Sequence, residues 1–451
     1  MVSNSHGEPY ERRVNPKGGL GLRNLNQRRP AGGCDNAPVP ALVRRLVAVA
    51  VLLLSVAIVA FLGLREVGFR IGIGLLESPT PVATPTAEPS ASEGPLTVFA
   101  QIEAQVQSLR RLPAADIGPP ELLTRAQLAE TLPGLIDPPL DNATLRALGL
   151  LTADQDIVAL SNELYSAQVL GYYDFDAKRM VVVTDAGLTP EARITYAHEY
   201  THAMQDAAFH SGAAADLVAG QRDRELALLG LEEGDATTAM VLWAIGHLTG
   251  EEMQGITETP VPDMSGIPPW MVHLLEYPYL SGAAFVSQLY ASGGWDAVDA
   301  VYADLPASTE QVLHSAKYLS HESPLVVKPL DLRSVVGSDW GRGSETTMGE
   351  VWISTWLEGI GLGADPAAAA AAGWGGDWLT MATGPDGAWA LGWRIVWDTQ
   401  AEATEFEAAY TAVESRLAFP AQVIRVSDGE TIVLQASGDD ILAEIATLAG
   451  S

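Results

Sequence analysis

Leu46–Leu64, LVAVAVLLLSVAIVAFLGL, is a run of 19 residues without a charge, interrupted by Ser55 and Gly63 alone. At a helical rise of about 1.5 Å per residue, such a run matches a bilayer core of roughly 30 Å. No other stretch comes near it, so the sequence predicts a single span. Of the 26 basic and 56 acidic residues, eight basic (Arg12, Arg13, Lys17, Arg23, Arg28, Arg29, Arg44, Arg45) and three acidic (Glu8, Glu11, Asp35) lie in 1–45. That leaves 18 and 53 for the rest. A basic flank ahead of the span predicts a cytoplasmic N-terminus and an extracytoplasmic remainder, held at the cell membrane by one helix. A cleaved signal peptide is the competing reading. Its apolar stretch is usually shorter, and its basic leader much shorter, than those here.

Behind the span, Glu77–Pro95 carries five prolines and almost no bulky apolar side chains. Such a segment cannot bury a core and stays extended, reaching up to about 60 Å at ~3.1 Å per residue. The organisation read from the sequence is a basic tail (1–45), a transmembrane helix (46–64), a Pro/Ser/Thr-rich linker (65–95), a globular domain (96–345) and a smaller C-terminal part (346–451). A formal charge of −30 argues against nucleic acid as a partner, because phosphate binding needs a basic footprint. The one cysteine, Cys34, excludes an intramolecular disulfide and any cysteine-rich metal site.

The globular part reads as α+β and mainly helical. Apolar spacing predicts helices over 96–111, 122–132, 142–151 and 157–170. Val169–Phe175 and Met180–Thr184 read as a β-hairpin turning at Asp176-Ala177-Lys178. Thr189-Pro190-Glu191 is a helix start, with Thr as cap and Pro in the first turn, and that helix should run to about Phe209. Further helical patterns cover 223–248, 272–290 and 296–302. After Thr346 a helical stripe of Met348, Trp352, Trp356 and Ile360 precedes two hairpins, around Pro385-Asp386-Gly387 and Asp428-Gly429, with a helix over 399–417 between them. The tryptophans of this tail read as the core of a small α+β subdomain of hairpins and helices.

The chemistry concentrates in Ala197–Asp206, AHEYTHAMQD. His198 and His202 are four residues apart and share one helix face. Two imidazoles so placed can clamp one Zn2+, and Glu199 beside them can activate water as a general base. A hydrolytic zinc needs a third protein ligand and an open position. The metzincin third histidine is absent, since His210 follows His202 by eight residues. Glu233, in the LEEGDAT of the second long helix, lies 35 residues after His198, a distance that lets the two helices fold back on each other. It is the expected third ligand. Its neighbour Glu232 points about 100° away round the helix. Asp235 is a fallback ligand or an acceptor for a ligand histidine. Asp206, one turn after His202, either orients an imidazole or faces water. His314 and Tyr279 are candidate donors to the charge that builds up on an attacked carbonyl.

Three stretches, LGYYDFDAKRMVVVT, RITYAHEYTHAMQD and ELALLGLEEGDATTAM, resemble the core of membrane-anchored bacterial zinc metallopeptidases of the gluzincin type, which share the HExxH…E scheme with thermolysin-like enzymes. Tyr279–His314 and Gly373–Trp378 (GWGGDW) are similar to further pieces of such proteins. The resemblance implies a zincin-like core, zinc held by His198, His202 and Glu233, Glu199 as general base, and a peptide or protein substrate. It also implies that the hairpin ahead of the motif is a cleft edge, near Tyr172, Tyr173 and Asp174, to which an extended peptide would add as a strand.

Arg193, Asp206 and the charged stretch Arg222–Glu225 exclude an intramembrane setting for the motif. The competing reading from another class is a non-catalytic envelope protein whose outer domain binds a cell-wall or protein partner.

Overall fold

The computed structural model describes residues 94–450 apart from 132–137, 139, 186 and 258–262. The apolar run 46–64, its basic leader and nearly all of the linker lie outside the described residues. Among the described residues no helix is long and apolar enough to cross a membrane. These residues form a mixed α+β structure in which helices dominate and two sheets are present.

The first half is built on helices α1 (Pro95–Arg110), α2 (Ile157–Gln168), α3 (Pro190–Phe209), α4 (Arg222–His247) and α5 (Pro269–Val301). α3 starts where the sequence predicts. The Thr189 side chain accepts from the Ala192 N–H, Pro190 occupies the first turn, and the helix ends at His210 with a left-handed φ of 57°. Every residue from Ile194 to Asp206 is buried, so α3 is a core helix on all its faces. That puts seven polar side chains of this stretch inside the protein, each in need of a partner.

α4 and α5 touch backbone to backbone. A Cβ on Gly234 would lie 2.3 Å from the Gly282 backbone, and one on Gly282 would lie 2.1 Å from the Gly230 carbonyl oxygen. Side chains here would force the helices apart, and Glu233 would move with α4. α1 closes the other side. Phe99, Ile102 and Val106 share a core with Tyr196, Tyr200 and Met204 of α3 and with Met240 and Trp243 of α4. At about 1.5–3 kcal/mol for each fully buried large apolar side chain, α1 is an integral part of this core.

A three-stranded sheet flanks α3 in the order β1 (Glu121–Leu123), β3 (Arg179–Val183), β2 (Gly171–Asp174). β2 and β3 are the predicted hairpin, with Tyr172 opposite Val181. β1 corrects the expectation of an unbroken helix over 122–132. Residues 121–123 pair in parallel with β3, and the helix that follows is confined to Arg125–Thr131. The open edge of β3 offers these residues a ladder that outweighs their helical spacing.

The second sheet has the order β4 (Gly341–Thr346), β5 (Trp374–Thr383), β6 (Trp389–Trp397), β8 (Glu430–Ala436), β7 (Ala421–Ser427), antiparallel throughout. Its side chains alternate between two cores. Leu391, Trp393 and Ile395 face α6 (Gly349–Gly359) and α7 (Gln400–Thr411), with Trp352, Trp356, Phe406 and Tyr410. Ala390, Ile432 and Leu434 face Leu330, Trp340 and α8 (Asp439–Ala446). The expected boundary at 345/346 falls inside β4, and one core cluster joins Leu145 and Trp270 to Trp356 and Trp393 across it.

The GWGGDW stretch has a structural task. The buried Asp377 carboxylate accepts from the Met348 and Gly349 N–H groups at the start of α6, both at 2.9 Å, and from the indoles of Trp374 (2.9 Å) and Trp393 (2.7 Å). Burial pushes this carboxyl up to about 6, with those four donors holding it back. It pins α6 to the sheet that α6 covers.

Candidate metal centre

α3 presents His198 and His202 on one face, and α4 brings Glu233 against them. His198 Nε2 lies 3.0 Å from Glu233 Oε2 and 3.0 Å from His202 Nε2, and His202 Nε2 lies 3.4 Å from Glu233 Oε2. Ligand atoms at 2.0–2.1 Å from a tetrahedral zinc stand roughly 3.3 Å apart. The three atoms therefore have the spacing of one face of such a tetrahedron, and they could hold a metal ion. All three side chains are fully buried.

The surrounding hydrogen bonds fix what these atoms offer. His202 Nδ1 lies 2.8 Å from Gln205 Oε1, while Gln205 Nε2 donates to the Glu232 carbonyl (2.9 Å) and to Asp235 Oδ2 (3.0 Å). Turning the amide over would set its oxygen against two acceptors. His202 Nδ1 must therefore carry a proton and donate it to Gln205, which makes Nε2 the atom that faces Glu233. Nε2 and Glu233 Oε2 meet at 3.4 Å inside the protein, where either a ring proton or a cation between them balances the buried carboxylate. Glu233 Oε1 and His198 Nδ1 are also buried without a hydrogen-bond partner.

The ionisation pattern has the same origin. Burial resists charging Glu233, but His202 and His198 outweigh it and hold the carboxyl down at about 2. Burial also resists charging His202, yet Glu233, Glu199 and Gln205 push it up to about 9. His198 is lowered, by burial first and by the neighbouring His202 charge, against the pull of Glu233.

Glu199 is fully buried beside this cluster. Its Oε2 accepts the Tyr173 N–H at 2.9 Å, and its Oε1 has no hydrogen-bond partner. Desolvation pushes its carboxyl well up, Glu233 adds to the shift, and His202 and the Tyr173 N–H oppose it. The outer edge of β2 thus reaches the centre. It is not an open cleft rim, however, because all four β2 residues are buried and the Tyr173 donor is occupied.

The remaining candidates separate. Tyr279 joins the centre: its buried ring lies 6.2 Å from the His198 ring. It shares an apolar cluster with Leu128, Val169, Tyr172, Val181 and Tyr165. Tyr165, on α2, is pushed up to about 12 by burial and by the charge of Glu233. His314 does not join it. Its Nε2 is 2.9 Å from Glu350 Oε1 on α6, so the expected role as a carbonyl donor is not what this geometry provides. Asp235 is not a ligand. The Arg110 guanidinium grips it at 2.7 and 3.0 Å, the Tyr302 hydroxyl donates to it at 2.8 Å, and it reaches His202 through Gln205. Asp206 neither orients an imidazole nor faces water. It accepts from the Tyr173 hydroxyl at 3.0 Å and pairs with Lys178, tying the hairpin to α3.

A second group with metal-like spacing is Glu310, Glu322 and Asp398. The Lys317 ammonium already sits among them, 2.7 Å from Glu310 and 2.7 Å from Glu322 and paired with Asp398.

Residues 334–446, from just before β4 to the end of α8, match a domain of unknown function, DUF8575. The matched segment does not include the metal-centre residues 198–233. No curated protein and no solved structure matches the chain.

Proposed function

We propose that this chain is a zinc-dependent peptidase of the HExxH…E type, with a zincin-like core, that hydrolyses peptide bonds outside the membrane to which residues 46–64 anchor it. The observation that carries the reading is the convergence of His198, His202 and Glu233, three potential ligands at zinc-like spacing, with Glu199 on the same helix. A bound zinc ion would supply a Lewis acid and acidify a water molecule. Glu199 would accept the proton of the attacking water at its unpartnered Oε1, while the Tyr173 N–H holds Oε2, and would deliver it to the departing amine. A divalent charge beside it would lower the carboxyl that burial raises, returning it to the range of a base. Tyr279, whose ring lies 6.2 Å from that of His198, would be the donor to the developing oxyanion.

One observation favours a second reading. The complete burial of all four side chains suits a structural metal in a non-catalytic envelope protein that binds a cell-wall or protein partner. The ligand count opposes it, because structural zinc takes four protein ligands and three converge here.

The test is cleavage of an unstructured protein such as casein by the purified full chain, with metal analysis alongside. Glu199→Gln should keep its zinc and lose at least about 100-fold in rate. A wild-type chain that holds zinc and cleaves nothing, or a Glu199→Gln variant as active as wild type, would leave the second reading.

A further inference from the structure

We propose that Gln205 and Arg110 are positioning residues for the metal centre, linked through Asp235 into a relay that makes helix α1 part of the site. This rests on reading the centre as a metal site and not on its being a peptidase.

Four fully buried side chains from three helices stand in line. His202 Nδ1–H donates to Gln205 Oε1 at 2.8 Å, and Gln205 Nε2 donates to Asp235 Oδ2 at 3.0 Å. Arg110 Nε donates to Asp235 Oδ1 at 2.7 Å and Arg110 Nη2 to Oδ2 at 3.0 Å. The far end is anchored as well. Arg110 pairs with Asp299 at 2.6 Å, its guanidinium lies 4.4 Å over the Trp295 ring, and Tyr302 donates to Asp235 at 2.8 Å.

Each link constrains the next. A guanidinium has no acceptor, so Asp235 must receive from it. Asp235 therefore presents acceptor oxygens to Gln205, and the amide can meet them with its NH2 alone. Its oxygen then faces His202 and holds a proton on Nδ1, so the ring is oriented with Nε2 toward Glu233 Oε2. Gln205 Nε2 also binds the backbone carbonyl of Glu232, next to the ligand Glu233, so one amide sets the spacing of the two ligand helices. Partners of this kind fix a ligand ring and raise its basicity. The relay begins 95 residues before Gln205, on a helix with no ligand of its own.

The experiment measures zinc affinity of the full chain by chelator competition and, on zinc-loaded protein with 15N-labelled histidine, the His202 Nδ1–H resonance. Wild type should show a hydrogen-bonded, slowly exchanging Nδ1–H. Gln205→Met, which keeps the volume and removes both polar ends, should lose that resonance and bind zinc about 10- to 100-fold more weakly. Should Gln205→Met fail to fold, Tyr302→Phe removes one donor from Asp235 and should weaken zinc in the same direction by less, with faster exchange at Nδ1. A folded Gln205→Met with wild-type affinity and an unchanged Nδ1–H, or a Tyr302→Phe unchanged in both when it carries the test, would overturn the relay. A wild type that binds zinc but cleaves nothing removes the peptidase reading and leaves the relay standing. A wild type that binds no zinc removes both.

Discussion

His198, His202 and Glu233 form one group whose potential ligand atoms all lie within 4.8 Å of one another, and Glu310, Glu322 and Asp398 form another. Spacing does not distinguish them; contents do. The acidic group surrounds Lys317, so the chain supplies its own cation, and Glu322 and Asp398 are partly open to solvent. The first group is fully buried, contains no Lys or Arg, and sets His202 Nε2 3.4 Å from a carboxylate oxygen. A buried carboxylate held by two imidazoles can exchange their protons for an external divalent cation, whereas carboxylates already gathered round an ammonium have their counter-charge in place.

The largest effect that could break this contrast is on metal content. Glu233→Gln should abolish stoichiometric zinc in the purified chain, whereas Glu310→Gln should leave it unchanged by metal analysis. Loss of zinc in both variants would mean the two groups are not independent. Next in size is Gly234→Ala. With the Gly282 backbone 2.3 Å from the new Cβ, the helices must separate, at a cost of about 2–3 kcal/mol in thermal unfolding and with weakened zinc binding.

Lys317→Met tests the filled group. It leaves Glu310 buried without its counter-charge, for a loss of about 1–3 kcal/mol with zinc retained. The sign of its pH dependence follows from Glu310, which burial pushes up to about 7 even with Lys317 opposing. A carboxyl raised by folding contributes stability below its unfolded value, and that contribution is lost as pH rises through the folded one. Thermal unfolding should therefore show a smaller penalty for Lys317→Met at pH 5 than at pH 8. The smallest effect is the control on the same helix as Gly234. At Gly246 a Cβ meets nothing within 4 Å, so Gly246→Ala should stabilise by up to about 1 kcal/mol and leave zinc untouched.

What could be read from the sequence follows the range of the forces involved. The cap at Thr189, the first-turn Pro190 and the four-residue histidine spacing are local, and α3 appears with those bounds. Glu233 was accessible because a helix–loop–helix of 35 residues has few ways to fold back. β4 was not. Its sequence GRGSET has no apolar alternation, and pairing with β5 is what makes it a strand. Asp206 carries no sign that its partners are Tyr173 and Lys178 rather than a histidine. Gln205 stood in plain view in the motif. Its role depends on Asp235 and Arg110, the latter 95 residues away, and a separation of that kind leaves no periodic mark. The GWGGDW aspartate is similar, since an isolated acid among tryptophans gives no hint that it caps α6.

The account stands most directly on whether three side chains hold one ion. Metal analysis of the purified full chain, compared across wild type, His202→Ala and Glu233→Ala, measures that. The account predicts about one zinc per wild-type chain and none in either folded variant. A wild-type chain without zinc, or zinc retained at full occupancy in Glu233→Ala, would contradict it.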